Sequence, residues 1–418
     1  MNILMVSPFD LVVKRLWGPT IRLHSLAKEL INMGHKVIMA GPPPFYGERP
    51  PLLEGVSLYY FKRPFYKYCY QMDGKERERA KANTKINLIK AIYSRSWEIL
   101  NLTRRHNIDI LYLNRAFFET GYPVLFSHYI RRIPFIYDWD DIEGLHGFST
   151  SNRLPLKIQL IETINEVVFA RLANAVVVAS DYIREFALKI GVKEDRLFYA
   201  PTVANSHLFN PSVNGDTIRE RLRLKNKKVL LYCGNLMKGS GVRLENLIIT
   251  ISILTRKDPG FHLVIVGEGD QKGELEKLSI ELDVRDNITF VGEVPYTEVP
   301  QYIKAADLCL ALFPVNVITL AKSPLKIYEY MSCAKPLIAR DVGEISRCIR
   351  DGINGLLVYS DNPQEYADKI LSAFSNQDKL RQMGEMARAT IEESFLWERS
   401  AQVIKKACEA VLNNNVGR

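Results

Sequence analysis

Short apolar runs alternate with helical stretches along nearly the whole chain, and the alternation happens twice. In the first half the runs are Ile3-Val6, Lys36-Ala40, Val56-Phe61, Ile108-Leu113, Pro134-Tyr137 and Ala175-Ala179. Helical patterns lie between them, around Thr20-Met33, Lys81-Leu102 and Pro155-Leu172. In the second half the runs are Val229-Cys233, Leu263-Gly267, Ile288-Val291, Leu308-Leu312, Pro336-Ala339 and Gly355-Val358. Strands separated by helices are the pattern of parallel sheets covered on both faces. The spacing therefore predicts an α/β chain with two doubly wound halves rather than one long sheet.

A boundary is expected around Pro201-Lys228, where Pro201, Asn210, Pro211, Asn214 and Gly215 give loop composition. The reading assigns residues 1–205 to one domain and 206–395 to the second. The tail from Phe395-Leu396-Trp397 to Val411 reads as one amphipathic helix, longer than the second sheet needs. We expect residues 396–418 to cross back onto the first domain. Two such domains facing each other would put the ends of both sheets around one cleft, the usual ligand site of open α/β sheets.

The segment Ser323-Pro324-Leu325-Lys326-Ile327-Tyr328-Glu329 lies between two of the apolar runs. Ser323 suits an N-cap and Pro324 the first helical position. Free amides at such a tip, that of Leu325 among them, attract an anion. Lys326 adds a full positive charge, and Glu329 follows near the same face. This set fits a nucleotide, with the diphosphate on the amides and lysine and the ribose hydroxyls on Glu329. Taken alone, the segment reads as a surface helix with a solvated Lys-Glu pair, and the nucleotide reading draws on the rest of the chain.

Bulk composition narrows the partners. The 418 residues carry 56 Lys and Arg against 47 Asp and Glu, a formal charge of +9 that favours anionic partners. No nucleic-acid module or long basic block is present, so nucleic acid is not expected as a partner. No apolar run approaches the roughly 18 residues of a membrane helix, and the N-terminus reads as a first strand rather than a leader, so a cytoplasmic location is expected. Lys62-Arg63-Pro64-Phe65-Tyr66-Lys67-Tyr68-Cys69-Tyr70 interleaves basic and aromatic residues. It reads either as a peripheral membrane contact or as a loop with buried rings. The six cysteines are scattered without metal-ligand spacing, against a disulfide framework or zinc site.

Several fragments in order resemble retaining glycosyltransferases of family 4, the glycosyl transferases group 1, which have the GT-B fold. They are Asn2-Ile3-Leu4-Met5-Val6-Ser7, then Gly18-Pro19-Thr20, Gly34-His35-Lys36-Val37, Leu231-Tyr232-Cys233-Gly234 with Lys238-Gly239, and Val264-Ile265-Val266-Gly267-Glu268-Gly269. Asp351-Gly352-Ile353-Asn354-Gly355-Leu356-Leu357-Val358 closes the series. The resemblance implies transfer of a sugar, with retention, from a nucleoside-diphosphate donor to a hydroxyl of a carbohydrate or lipid-linked glycan. No further cofactor and no metal are implied. It places Lys238 and Lys326 on the donor diphosphate, Glu329 on the ribose, Gly234 and Asn235 in the phosphate loop and the backbone near Val294 at the base. Gly18 and Thr20 would lie under the diphosphate or acceptor.

The sequence also departs from the family. The first glutamate of the E-x7-E motif is replaced by Ala321, and Ser323-Pro324-Leu325-Lys326 marks a Ser-Pro-x-Lys variant. Asn235 stands where an arginine is common. Asp138 stands about where a histidine is usual, within Tyr137-Asp138-Trp139-Asp140-Asp141. Asp138, Asp140 and Asp141 are therefore the candidate catalytic groups, expected to orient an acceptor hydroxyl or act as base, with mutual repulsion raising at least one pKa. The alternative is helix capping and a solvated acidic turn. Arg115, at a strand end, is expected either to meet an anionic acceptor or to form a structural ion pair.

Overall fold

The computed structural model describes residues 1–9, 11, 18–42, 55–62, 84–238 and 242–416. Most of the basic-aromatic stretch, residues 63–70, lies outside the described residues, as does Gly239. The chain divides into two compact units. The first comprises Met1–Leu145, Pro155–Pro201 and Glu398–Arg418; the second comprises His146–Leu154 and Thr202–Trp397. The long crossing from the first unit to the second follows Pro201, His146–Leu154 clusters with the second unit where the sequence reading has it in the first, and residues from Glu398 cluster with the first unit.

The first unit holds a seven-stranded parallel sheet in the order β3-β2-β1-β4-β5-β6-β7. Its strands are β1 Asn2–Val6, β2 Lys36–Gly41, β3 Ser57–Tyr60, β4 Ile110–Asn114, β5 Phe135–Trp139, β6 Ala175–Val178 and β7 Leu197–Tyr199. The β-branched and aromatic runs of β4, β5 and β6 are buried along their whole length. Both faces of a parallel sheet are covered, which is why these strands read as continuous apolar runs. The helices that matter below are α1 Gly18–Asn32, α2 Thr84–Arg105, α3 Phe118–Arg131 and α4 Leu156–Leu172.

The second unit holds a six-stranded parallel sheet in the order β10-β9-β8-β11-β12-β13. Its strands are β8 Lys228–Cys233, β9 Phe261–Val266, β10 Ile288–Gly292, β11 Leu308–Ala311, β12 Leu337–Arg340 and β13 Leu356–Val358. Leu230, Tyr232, Ile251, Phe261, Ile265 and Leu310 form part of its core. Helix α5, Leu325–Ser332, joins β11 to β12, and α6, Trp397–Val416, ends the described chain. Among the described residues no helix is long and apolar enough to cross a membrane.

Two glycines set the carboxyl ends of β8 and β9. Gly234 has φ +155° and Gly267 φ +144°. A Cβ on Gly267 would stand 2.0 Å from the Gly234 carbonyl oxygen. Only glycine permits both this backbone and this approach, so the two loops close against each other at the carboxyl ends of β8 and β9.

Candidate functional site

The β8 end and the start of α5 build one cluster. Helix α5 begins at Leu325 with Pro324 as its N-cap, and no side chain caps it. Ser323 is not the cap expected from sequence: its hydroxyl donates to the Thr202 carbonyl at 2.8 Å and is turned away from the helix amides. The Ile327 amide bonds the Pro324 carbonyl at 3.0 Å, whereas the amides of Leu325 and Lys326 donate to no described group. The helix tip therefore keeps two open donors and the positive end of its dipole.

Lys326 stands over that tip. Its Nζ is 3.9 Å from the ring centre of Tyr232 and 5.4 Å from that of Phe313. A Cβ on Gly234 would come within 2.4 Å of it. The ammonium makes no ion pair or hydrogen bond with any described residue. Burial pushes its pKa down to about 7, with Lys322 pushing the same way and Cys233 and Glu329 opposing. Cation–π contact is weak compensation for lost water. This cation lacks an anion.

Glu329 is buried, and its Oε1 accepts a 2.8 Å hydrogen bond from the Tyr296 hydroxyl. Burial pushes its carboxyl up to about 7, against the pull of Tyr296 and Lys326. Tyr296 sits in the loop after β10, two residues beyond Val294. The Val294 backbone is in the same loop and bonds no described group. Tyr330, one residue past Glu329, accepts the Cys233 amide at 2.9 Å and so ties α5 to the end of β8.

The phosphate-loop residues divide. Gly234 joins the cluster through Lys326. Asn235 is exposed, with its Oδ1 taking the Met237 amide at 2.8 Å. Lys238 is not held at the cluster: its Nζ pairs with Glu274 at 2.5 Å, and both side chains are 60% exposed. Ala321 is wholly buried and offers no carboxylate.

In the first unit, Gly18 opens α1, and a Cβ there would meet nothing within 4 Å. Thr20 is buried, and its hydroxyl bonds no described residue. The acidic segment at the end of β5, Asp138 in the strand and Asp140 and Asp141 beyond it, is held in a way the sequence does not suggest. Asp138 is fully enclosed and held by Arg22 through two bonds, Nε to Oδ2 at 3.1 Å and Nη2 to Oδ1 at 2.8 Å. Asn114 adds a bond at 3.3 Å. Its pKa is raised by burial first, Asp140 adding to this and Arg22 opposing, so desolvation rather than mutual repulsion dominates. Both carboxylate oxygens of Asp138 are thus taken up by Arg22 and Asn114 inside the unit.

Arg115 gathers the other acids. It bonds Asp140 at 2.8 and 3.2 Å and Asp141 at 2.8 Å, and it pairs with Glu143. Of its two expected roles it takes the structural ion pair. Behind it, Glu166 accepts the amides of Glu143 at 2.7 Å and Gly144 at 3.2 Å, and the Trp139 indole at 3.3 Å. Burial pushes Glu143 up to about 7 and Glu166 up to about 8. Among the described residues no group of three His, Cys, Asp or Glu is arranged to hold a metal ion.

Sequence reasoning missed Arg22, Tyr232, Glu166 and Tyr296. Arg22 meets Asp138 across 116 positions, and no local pattern carries that pairing. Tyr296 had one signal, its place in the same strand-end loop as Val294.

Residues 214–390 match the family model "Glycosyl transferases group 1". The alpha-D-kanosaminyltransferase of Streptomyces kanamyceticus is 29% identical over 170 residues, 41% of this chain and 42% of that protein. The D-inositol 3-phosphate glycosyltransferase of Nocardia farcinica is 28% identical over 242 residues, 55% of this chain and 51% of that protein. The chain spans about half the length of these curated relatives. Among solved structures, Anabaena Alr3699/HepE in complex with UDP and glucose superposes with a TM-score of 0.71 at 18% identity, over 98% of this chain and 100% of that one. WaaG, a glycosyltransferase involved in lipopolysaccharide biosynthesis, superposes with a TM-score of 0.67 at 14% identity, over 98% and 99%. These likenesses show the fold: two Rossmann-like domains of the GT-B class. The sequence likeness to the glycosyl transferases group 1 is carried by residues 214–390, within the second unit.

Proposed function

We propose that this chain is a glycosyltransferase that moves a sugar from a nucleoside-diphosphate donor to a hydroxyl of a carbohydrate or lipid-linked glycan. In this reading the anomeric configuration is retained and no metal is needed. One observation carries it: Lys326, a half-buried cation with no described anionic partner, stands beside Gly234 at an uncapped helix tip, one turn from buried Glu329. A diphosphate supplies the missing anion, takes the two open amides and recharges the lysine. The ribose hydroxyls fall to Glu329, and the open backbone at Val294 reads the base.

Chemistry follows from the same groups. When the glycosidic bond breaks, its electron pair goes to the diphosphate oxygen, and the charge that develops there is stabilised by Lys326 and the helix amides. Fixed donors of this kind replace a metal. Asp138 is assigned a structural role. Asp141, the least buried of the three aspartates, remains our candidate for orienting the acceptor hydroxyl. Lys238 would have to leave Glu274 to join the diphosphate, a cheap exchange for an exposed pair.

Ala321 favours a second reading, a nucleotide-sugar-binding subunit without turnover, because the carboxylate that would hold the donor sugar is absent. The purified chain incubated with UDP, GDP, ADP and dTDP sugars and a set of glycan acceptors decides between them. Transfer, or slow release of free sugar from one donor, supports the enzyme. Tight binding of a donor with neither transfer nor hydrolysis supports the subunit. The anomeric proton signal of the product tests retention, and full activity in excess chelator tests the absence of a metal.

A further inference from the structure

Helix α4 is turned inside out relative to an ordinary surface helix. Leu156, Leu160, Ile164, Val168 and Leu172 recur every four residues and all face solvent, with Leu156 62% and Ile164 58% exposed. Its two acids, Glu162 and Glu166, point inward and are buried. A four-residue spacing on an α-helix makes one continuous stripe, here about 25 Å long for the whole helix.

The stripe continues onto neighbouring helices. Tyr122 of α3 donates to Asn165 of α4 at 3.2 Å and packs edge-on against Phe169. Trp97 of α2 meets Phe126 of α3 with ring centres 6.1 Å apart. From these helices Tyr93, Trp97, Phe126 and Tyr129 reach solvent, Tyr93 by 67% and Tyr129 by 62%. Most of the exposed large apolar side chains among the described residues lie on α2, α3 and α4.

Charge on this face is one-sided. Every acid of the three helices is buried: Glu98, Glu119, Glu162 and Glu166. Two of them serve local needs, Glu98 accepting Tyr59 and the Lys62 amide and Glu166 the amides of the β5 loop. The exposed charges are cationic, among them Lys90, Arg131, Lys157 and Arg171. Exposed apolar area of this extent marks an interaction surface.

We infer that the face formed by α2, α3 and α4 docks on a membrane surface containing anionic lipid. Tyrosine and tryptophan suit the headgroup level, leucine and isoleucine the acyl boundary beneath, and lysine and arginine the lipid phosphates. A second copy of the chain fits less well, because a two-fold contact through this face would set its cations against each other. The surface lies wholly within the first unit and does not depend on the donor site.

The test is co-sedimentation of the full chain with vesicles of phosphatidylcholine alone and of phosphatidylcholine mixed with phosphatidylglycerol. Binding is expected only to the mixed vesicles and is expected to weaken with salt. Leu160→Ser with Ile164→Ser, and separately Lys90→Glu with Lys157→Glu, should each weaken it at least about tenfold. Nucleotide-sugar affinity of the same variants should not move, so failure here is distinguishable from failure of the donor-site reading. No binding to mixed vesicles, or binding indifferent to both double variants, overturns the inference. So does a dimer seen in ultracentrifugation, lost in the Leu160→Ser and Ile164→Ser variant, from a chain that ignores vesicles.

Discussion

The Nζ of Lys326 lies 3.9 Å from the centre of the Tyr232 ring, on the core strand that leads into the Gly234 turn. An aromatic face on one side and an uncapped helix tip on the other hold a cation in position while leaving its charge unmatched. That arrangement costs the free protein and favours an anionic ligand.

The pH dependence of donor binding follows from this. In the free protein Lys326 is charged below about 7 and loses its proton above it. A bound diphosphate raises that value, so binding takes up protons and affinity falls as pH rises past about 7, by at most about tenfold per unit. Lys326→Arg keeps the charge and should flatten the profile. The neighbouring carboxyl of Glu329 titrates near the same pH and works the other way if it receives hydroxyls, so Glu329→Gln should steepen the fall. Calorimetric titrations in buffers of different ionisation enthalpy read the proton uptake directly.

Glu329 and Tyr296 should separate the ribose from the phosphates. Glu329→Ala is expected to weaken nucleoside-diphosphate binding by about 1.5–3 kcal/mol, the scale of a lost hydrogen bond to a charged group. Tyr296→Phe, which removes the 2.8 Å bond to Glu329, should cost about 1 kcal/mol. Inorganic pyrophosphate, which has no ribose, should bind both variants as it binds the unaltered protein. Competition measurements with the nucleoside diphosphate and with pyrophosphate check this.

Arg22 and Asp138 should behave as a structural pair. Both side chains are fully enclosed. Arg22→Met leaves a buried carboxylate without its cation and should cost about 3–5 kcal/mol in urea denaturation. Arg22→Met with Asp138→Leu should recover much of that loss, giving a large coupling in the double-mutant cycle. Loss of activity in Asp138→Asn at unchanged stability would contradict the structural assignment.

Stability should fall between about pH 4.5 and about pH 8 on account of Glu143 and Glu166. Their folded values, about 7 and about 8, lie above the ordinary 4.5. Between those limits the folded state holds protons that the unfolded chain has released, so unfolding becomes easier as pH rises. Glu166→Gln keeps an acceptor for the Glu143 amide and removes one of the two titrations. Its urea midpoint should change less across this range than that of the unaltered protein.

Much of the fold was legible in the sequence, because buried parallel strands appear as unbroken apolar runs and twelve of them could be read. Strand β7 was not: Leu197–Tyr199 is three half-buried residues behind Glu194-Asp195-Arg196, too short and too charged at its edge to stand out. At the site, Lys326 and Glu329 were legible from helix spacing. The role of Ser323 was not, since its hydroxyl is claimed by a carbonyl 121 positions away. The pairing of the acidic segment was not legible for the same reason. Asp138, Asp140 and Asp141 read as a reactive cluster, but Arg22 and Arg115, distant in sequence, bind them. Helix α4 was legible as a helix and not as an outward-facing one, because periodicity gives the spacing of a stripe without saying which side the core lies on.

The most direct test of the central claim is the affinity of the Lys326→Met variant for the nucleoside-diphosphate sugar that the unaltered chain binds. Removing the Lys326 charge while keeping its apolar stem should weaken binding by about 1.5–3 kcal/mol, with the melting temperature of the free protein unchanged or higher. Unchanged affinity in that variant would show that the phosphates are gripped elsewhere and would contradict the account.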